Sequence, residues 1–481
     1  MSRPFYGDES PIAALATPPG ESALALIRAS GPGSVALLAT IFSRPAKLRE
    51  AGGNSVVHGW ILAPRGPGSG KTGEAGETGK AGENAGAERI DEVLVSVYRA
   101  PKSYTGEEGA DISCHGGAVV VRAVLEALKT AGFRESLPGE FSFRAFMNGK
   151  LDLTRSESVM ELVQAKTCEA RERAVGRLAG RLQREIAALS RCLLEALAET
   201  ELRLDYDEEE LGFSGEGLPG RELVENALDR LRKLTAGWPG ERLYQEGALA
   251  VIAGRPNAGK SSLFNALVGE DRSIVTAAPG TTRDWIEALV NIRGIPLRLV
   301  DTAGLRETGG QAALDRAEEL GILRSRELLD KADLTLYVIN GTQGPRDEDR
   351  AVLGAVRSRP LIPLWNKADI APLSGHQEFL PVSAKTGEGL GELCTAIKTA
   401  LGGNLPERRP EPGLGSLRQK DLAEKARAAL EEALDLADRG EALDLSAPLL
   451  REAVDALGEI TGEVSTADIL ETIFSKFCVG K

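Results

Sequence analysis

The stretch ALAVIAGRPNAGKSSLFNAL carries an apolar run into Gly254-x-x-x-x-Gly259-Lys260-Ser261 and then into a helical pattern. These are residue types suited to holding phosphate. Glycines let backbone N–H groups face the oxygens, and the following helix presents its positive end. Lys260 reaches the β- and γ-phosphates and Ser261 ligates Mg²⁺, so Asn257, Ala258, Gly259, Lys260, Ser261 and Ser262 form a candidate phosphate-contact set. Gly70-Lys71-Thr72 looks superficially similar, but Arg65 stands where the pattern needs glycine and no strand precedes it.

Four further segments follow in order: PGTTRD (Pro279 to Asp284), DTAG (Asp301, Thr302, Ala303, Gly304), NKAD (Asn366, Lys367, Ala368, Asp369) and SAK (Ser383, Ala384, Lys385). A single carboxylate at Asp369 accepts from both N1–H and the 2-amino group of guanine, whereas adenine presents an acceptor at N1. The implied ligand is a guanine nucleotide. The residue after DTAG is Leu305, and an apolar side chain cannot orient an attacking water. Hydrolysis at this site must therefore borrow a carboxylate, amide or cation from elsewhere in the chain or from a partner subunit.

These residues need a scaffold. Short apolar runs at Leu249 to Ala253, Leu297 to Val300, Leu334 to Ile339, Leu361 to Leu364 and Leu380 to Val382 alternate with helical stretches, which predicts a doubly wound, mostly parallel sheet over 247–402. Before it, Leu151 to Glu210 repeats apolar residues three and four apart and is nearly free of Gly and Pro. Similar texture returns in Asp421 to Lys476, so one domain is expected to be inserted into a helical one. Alternating segments at Ala23 to Ala29 and Glu92 to Tyr98, with a helix at Val119 to Thr130, suit a mixed α/β domain at the N-terminal end. Pro64 to Glu88 is almost entirely small and polar and reads as a disordered insertion. The expected division is 1–149, 150–246, 247–402 and 403–481, a multidomain α/β plus all-α chain.

At 481 residues the chain needs more than one core. A formal charge of −13 argues against non-specific nucleic-acid binding at long range. Five scattered cysteines form no C-x-x-C pair, so neither disulfides nor structural zinc are expected. The sequence has no membrane-length apolar run and no secretory pattern, which points to the cytosol. His115, beside Cys114 and Gly116-Gly117, reads as a structural loop residue without an identifiable partner base.

Beyond the nucleotide motifs, ALATPPGESALALIRASG, SYTGEEGADISCHGG, LPGEFSFRAFMNGKLDLTRSES and the final FCVGK resemble, segment by segment, the tRNA-modification GTPase MnmE (TrmE) family, within the branch of P-loop GTPases that includes Era and EngA. The resemblance implies an N-terminal folate-binding domain that also mediates homodimerisation, a helical domain and an inserted Ras-like GTPase domain. It implies that Arg28, Asp111, Lys150 and Lys481 contact 5-formyltetrahydrofolate, with Asp111 standing where the family usually has Glu, and that Cys478 is a reactive thiol. Thr282 would close over Mg²⁺ and the γ-phosphate, with Asp301 supporting the metal and Gly304 sensing the γ-phosphate.

In place of a water-orienting side chain at Leu305, the resemblance implies K⁺, held by Asn257, Thr276, Ala278 and Thr281 when two GTPase domains meet. Ala277, Pro279 and Gly280 complete that nucleotide-contacting loop, and Ala277 replaces a common Asp. A glutamate acting through water aligns at Glu318, with Glu307 and Glu319 as alternatives. Gln419 replaces a usual His. The implied activity is GTP hydrolysis that, with the FAD-containing partner MnmG (GidA), installs a carboxymethylaminomethyl or aminomethyl group at C5 of wobble uridine in tRNA. The alternative is a regulatory switch in ribosome assembly that transfers no group.

Overall fold

The computed structural model describes residues 8–63, 88–206, 217–269, 286–301, 331–355, 360–402 and 413–480. They fall into two compact units, Met1–Glu157 with Thr461–Lys481, and Ser158–Ile460.

The first unit is built on six strands: β1 (Ile12–Leu15), β2 (Ser22–Ser30), β3 (Ser55–Leu62), β4 (Arg89–Tyr98), β5 (Gly109–Gly116) and β6 (Arg134–Glu135). Their order is β3-β4-β5-β2-β1-β6, antiparallel throughout except that β1 and β6 run parallel. One face packs Ile27, Val95, Val97 and Ile112 against Val124 and Leu128 of the helix Ala118–Ala131. The alternation of apolar and polar residues in β2 and β4 follows from that one-sided cover. The chain's last helix, Ala467–Phe474, belongs to this unit. Its Phe474 is fully buried and packs edge-on to Phe143 with centroids 5.5 Å apart. Gly139 approaches so closely that a Cβ there would lie 2.3 Å from the Phe474 carbonyl oxygen.

The second unit combines a helical layer with a sheet. In the helix Arg181–Asp205, Leu182, Ile186, Leu189, Leu193 and Ala196 recur at helical spacing. They share one core with Val224, Leu228 and Leu231 of Arg221–Ala236 and with Ala426, Leu430 and Ala433 of Leu417–Asp438. The sheet holds β7 (Ala248–Ala253), β8 (Ile286–Ile292), β9 (Ile295–Asp301), β10 (Leu334–Asn340), β11 (Leu361–Asn366) and β12 (Leu380–Val382), in the order β12-β11-β10-β7-β9-β8. All neighbours are parallel except β8 and β9. Every residue of β7 and β10 is buried, as expected for inner parallel strands covered on both faces. In β8 the apolar run is only Ala288-Leu289-Val290, set between Glu287 and Asn291. The turn into β9, with Arg293 at φ 50° and Gly294 at φ 93°, is what makes it a hairpin, since two positive φ values suit the twist of antiparallel strands.

Replacing Phe474 with Ala is expected to destabilise the first unit by about 3–5 kcal/mol through cavity formation. Urea unfolding followed by tyrosine and tryptophan fluorescence checks this, and an unchanged midpoint would show that the C-terminal helix is not part of that core.

Candidate functional site

β7 ends at Ala253, and the helix Lys260–Val268 follows after the loop from Gly254 to Gly259, with Gly259 as its N-cap. The intervening loop is backbone-limited. Gly254 has φ 141° and a Cβ there would lie 2.3 Å from the Val338 carbonyl oxygen, and Gly259 has φ 91° with Asn366 Nδ2 2.2 Å from where a Cβ would be. Neither position admits a side chain. Asn257 adopts φ 60°, so the loop alternates handedness in the manner of an anion-binding nest.

Lys260 is buried, and its Nζ donates to the Arg255 carbonyl at 3.0 Å. Ser261 Oγ donates to Asp301 Oδ2 at 2.7 Å, and Asp301 is fully buried at the end of β9. A hydroxyl beside a carboxylate is an all-oxygen donor set that fits Mg²⁺. Ala258 is buried, and Ser262 is exposed on the first turn of the helix.

The base-reading segments close against this loop. Asn366, at the end of β11, donates from Nδ2 to the Ala258 carbonyl at 2.9 Å. Its Oδ1 accepts from Lys367 N at 2.9 Å and from Ala384 N at 3.1 Å. Ser383 Oγ donates to Asp369 Oδ1 at 2.8 Å and accepts from Thr386 N at 3.2 Å, fixing the carboxylate that would meet guanine. Lys367, itself at φ 68°, reaches the Asn257 carbonyl at 3.5 Å. The structure thus brings together Asn257, Ala258, Gly259, Lys260, Ser261, Asp301, Asn366, Lys367, Asp369, Ser383 and Ala384, with Lys385 next in the chain. Thr276, Ala277, Ala278, Pro279, Gly280, Thr281, Thr282, Thr302, Ala303, Gly304, Leu305, Glu307, Glu318 and Glu319 lie outside the described residues, as do 64–87 and Lys481.

The sequence motifs do not reveal what holds the loop from behind. Arg255 pairs with Asp349 at 3.2 Å, and Tyr337 Oη donates to the same carboxylate at 2.9 Å. Burial, and then the bond to Asp349, push the Tyr337 hydroxyl above its usual range.

A second polar cluster lies in the N-terminal unit, where Arg28 of β2 faces Asp111 of β5 in register. Arg28 Nε and Nη2 donate to Asp111 Oδ1 and Oδ2 at 3.0 and 3.3 Å, and Nη1 donates to the Gly480 carbonyl at 3.4 Å. Burial works against the charge on Arg28, but the hydrogen bonds and negative charge of Asp111 more than offset it, so its pKa is raised. The guanidinium lies 5.6 Å from the Tyr104 ring centroid. With Tyr98, Lys102 and Lys150 these residues line a cleft of about 480 Å³. Lys150 Nζ donates to the Pro101 carbonyl at 3.0 Å.

Cys478 is exposed rather than a buried hydrophobe. Cys114 and Cys394 are the buried thiols, and Cys114 is pushed up to about 11 by burial and by Asp91. His115 sits in β5, not in a loop, and has a partner acid: Nδ1 lies 2.7 Å from Asp91 Oδ1, while its backbone N donates to Asp91 Oδ2 at 2.8 Å. Asp91 comes from β4, 24 residues away, a pairing that only the sheet register creates.

Asn366→Ala removes hydrogen bonds of about 1 kcal/mol each and should weaken guanine-nucleotide binding roughly 10- to 100-fold. Titration with a fluorescent GDP analogue measures this, and unaltered affinity would show that Asn366 does not hold the loop.

Family comparisons agree with this geometry. Residues 11–150 match the family described as GTP-binding protein TrmE N-terminus, and residues 153–478 match the MnmE helical domain. The chain is 38% identical to the tRNA modification GTPase MnmE of Treponema denticola over 99% of each chain. It is 40% identical to that of Treponema pallidum over 99% of each. With that of Moorella thermoacetica the identity is 39%, over 98% of this chain and 99% of the relative. A nucleotide loop of this build and likeness along nearly the whole length lead to one conclusion: the chain belongs to the MnmE family of GTPases involved in tRNA modification.

Proposed function

We propose that this chain hydrolyses GTP to drive the addition of a carboxymethylaminomethyl or aminomethyl group to C5 of wobble uridine, acting as a cytoplasmic homodimer together with MnmG (GidA). The observation that carries the reading is the hydrogen-bonded closure of Asn366, Asp369 and Ser383 onto the phosphate loop, alongside a separate cationic cleft at Arg28. The first suits a guanine nucleotide and the second suits an anionic, aromatic ligand such as 5-formyltetrahydrofolate. The proposed domains are 1–149 for folate and dimerisation, 150–246 and 403–481 for the helical body, whose end Thr461–Lys481 falls in the first compact unit, and 247–402 for GTP.

In the nucleotide site, Lys260 leaves the Arg255 carbonyl for the β- and γ-oxygens, and the loop N–H groups hold the phosphate chain in place. Ser261 and Thr282, with Asp301 behind them, would hold Mg²⁺, which offsets phosphate charge. Asn257 would hold K⁺ with Thr276, Ala278 and Thr281. Among the described residues its exposed side-chain amide makes no hydrogen bond, while its backbone carbonyl is engaged by Asn340 at 3.3 Å. A monovalent cation there supplies positive charge near the transferred group, as an arginine finger does elsewhere. Leu305 cannot orient water, so Glu318 is assigned that role.

In the N-terminal cleft, Arg28, held by Asp111, presents its positive charge to the folate, with Lys150 and Lys481 completing the cationic set. Cys478, exposed on the same C-terminal segment as Gly480, is assigned the place of the family's reactive thiol near the folate.

GTP turnover should rise at least tenfold when Na⁺ is replaced by K⁺, and Asn257→Ala should remove the difference; equal rates in both salts would refute the cation assignment. Mass spectrometry of tRNA nucleosides from a deletion strain should show unmodified C5 at the affected wobble uridines. Unchanged nucleosides would instead favour a ribosome-assembly switch.

A further inference from the structure

The GTPase segment is joined to the helical layer by two chain crossings. The helix Trp238–Glu246 leads into β7, and Gly413 to Gly415 lead back into Leu417–Asp438. Both crossings meet one residue. Arg177, on the helix Cys168–Leu178, is almost fully buried. Its Nε donates to Glu161 Oε2 at 2.7 Å, and its Nη1 donates to Glu241 Oε2 at 3.1 Å and to the Gly413 carbonyl at 3.4 Å. With its amide oriented to satisfy both neighbours, Gln245 accepts from Arg177 Nη2 at 2.6 Å and donates to the Gly415 carbonyl at 2.9 Å.

Arg173, one turn earlier on the same helix, pairs with the other oxygen of Glu241 and lies 4.2 Å from the Tyr244 ring centroid. Two cations face two carboxylates, so the buried cluster is neutral, and each charge has the partners that make burial tolerable. The glycines at the return crossing leave no slack. A Cβ at Gly413 would lie 2.2 Å from Glu241 Cδ, and one at Gly415 would lie 2.3 Å from Glu161 Oε1.

The same helix touches the GTPase sheet at a second point. A Cβ on Gly294, at the β8–β9 turn, would lie 2.6 Å from Glu169 Cδ. Glu169 Oε2 is buried and has no hydrogen-bond partner among the described residues. That hairpin joins the two strands that flank the nucleotide-sensing segments: β8 begins just after PGTTRD and β9 ends on Asp301 of DTAG. Tyr244, beneath Arg173, is buried in the core of the GTPase sheet with Leu243, Ala250 and Leu297. Helix Cys168–Leu178 therefore grips both the entry to the phosphate-loop strand and the hairpin between the sensing segments.

We infer that Arg177 is a positioning residue for tRNA modification: it locks both chain crossings to helix Cys168–Leu178, so that movement of the nucleotide segments reaches the helical layer as one displacement. This rests on the hydrolysis-driven cycling proposed above. Arg177 touches neither nucleotide nor tRNA base, and its loss should leave the chemistry of GTP cleavage in place.

The test uses the full-length protein with GDP and with guanylyl imidodiphosphate, following hydrogen–deuterium exchange in segments 168–178 and 413–420. In the wild type these segments should differ between the two nucleotides. Arg177→Met should erase the difference while GTP KM and kcat stay within threefold, and modified wobble uridine in a complemented deletion strain should fall at least tenfold. Arg177→Lys keeps the buried charge but not the planar fork, and should behave similarly even if the Met variant folds poorly. A nucleotide-dependent difference that persists in the Lys variant overturns the Arg177 relay alone. A wild type with no difference overturns the relay together with the proposed cycling.

Discussion

The nucleotide site depends on how closely its backbone approaches two neighbouring strands. Gly254 lies against the carbonyl of Val338 on β10, and Gly259 lies against the Asn366 amide at the end of β11. Because no Cβ fits at either point, the loop is fixed by contact with the sheet rather than by its own sequence alone. Its amides thereby gain a definite direction, and Asn366 can hold the loop while also gathering the Lys367 and Ala384 amides. Phosphate holding and base reading are thus one hydrogen-bonded unit. The parallel sheet makes this possible by ending β7, β10 and β11 on the same side, the position where open α/β sheets bind ligands.

Much of this was legible in the residues. The five inserted strands follow from apolar runs, and the phosphate loop follows from the spacing of Gly254, Gly259 and Lys260 between a strand and a helix. What remained hidden depends on residues far apart in the chain. β8 has only a three-residue apolar run, Ala288 to Val290, and is paired with β9 through the Arg293-Gly294 turn. The Asp91–His115 pair arises from the register of β4 and β5, which no local pattern encodes. Arg255 and Asp349 are 94 positions apart, and Arg177 and Glu241 are 64 apart. Each reads in sequence as an ordinary helix or loop charge. Burial of Asp349, Arg177 and Glu241 is what distinguishes them, since a buried charge must be paired and therefore holds its partners in place.

The shorter carboxylate at position 111 illustrates the same point. Arg28 and Asp111 are direct cross-strand partners, and the short side chain meets the guanidinium fork with both oxygens. A Glu would carry its carboxylate one methylene farther from the strand, so Asp here keeps Arg28 close to the sheet and beside Tyr104.

Leu305 gives the buried junction its significance. In the proposed scheme, a site that lacks a water-orienting amide at position 305 takes that help from groups elsewhere, which would couple hydrolysis to their placement. Coupling needs a path that does not dissipate in flexible connections. The two crossings of the inserted segment would be the natural places for slack, yet both are bound to the same guanidinium and lined by glycines that allow close contact. A neutral, paired cluster resists partial opening, because exposing one partner leaves another charge buried and unpaired. The junction therefore moves as a unit or not at all, which suits it to transmitting a displacement between the nucleotide loop and the helices.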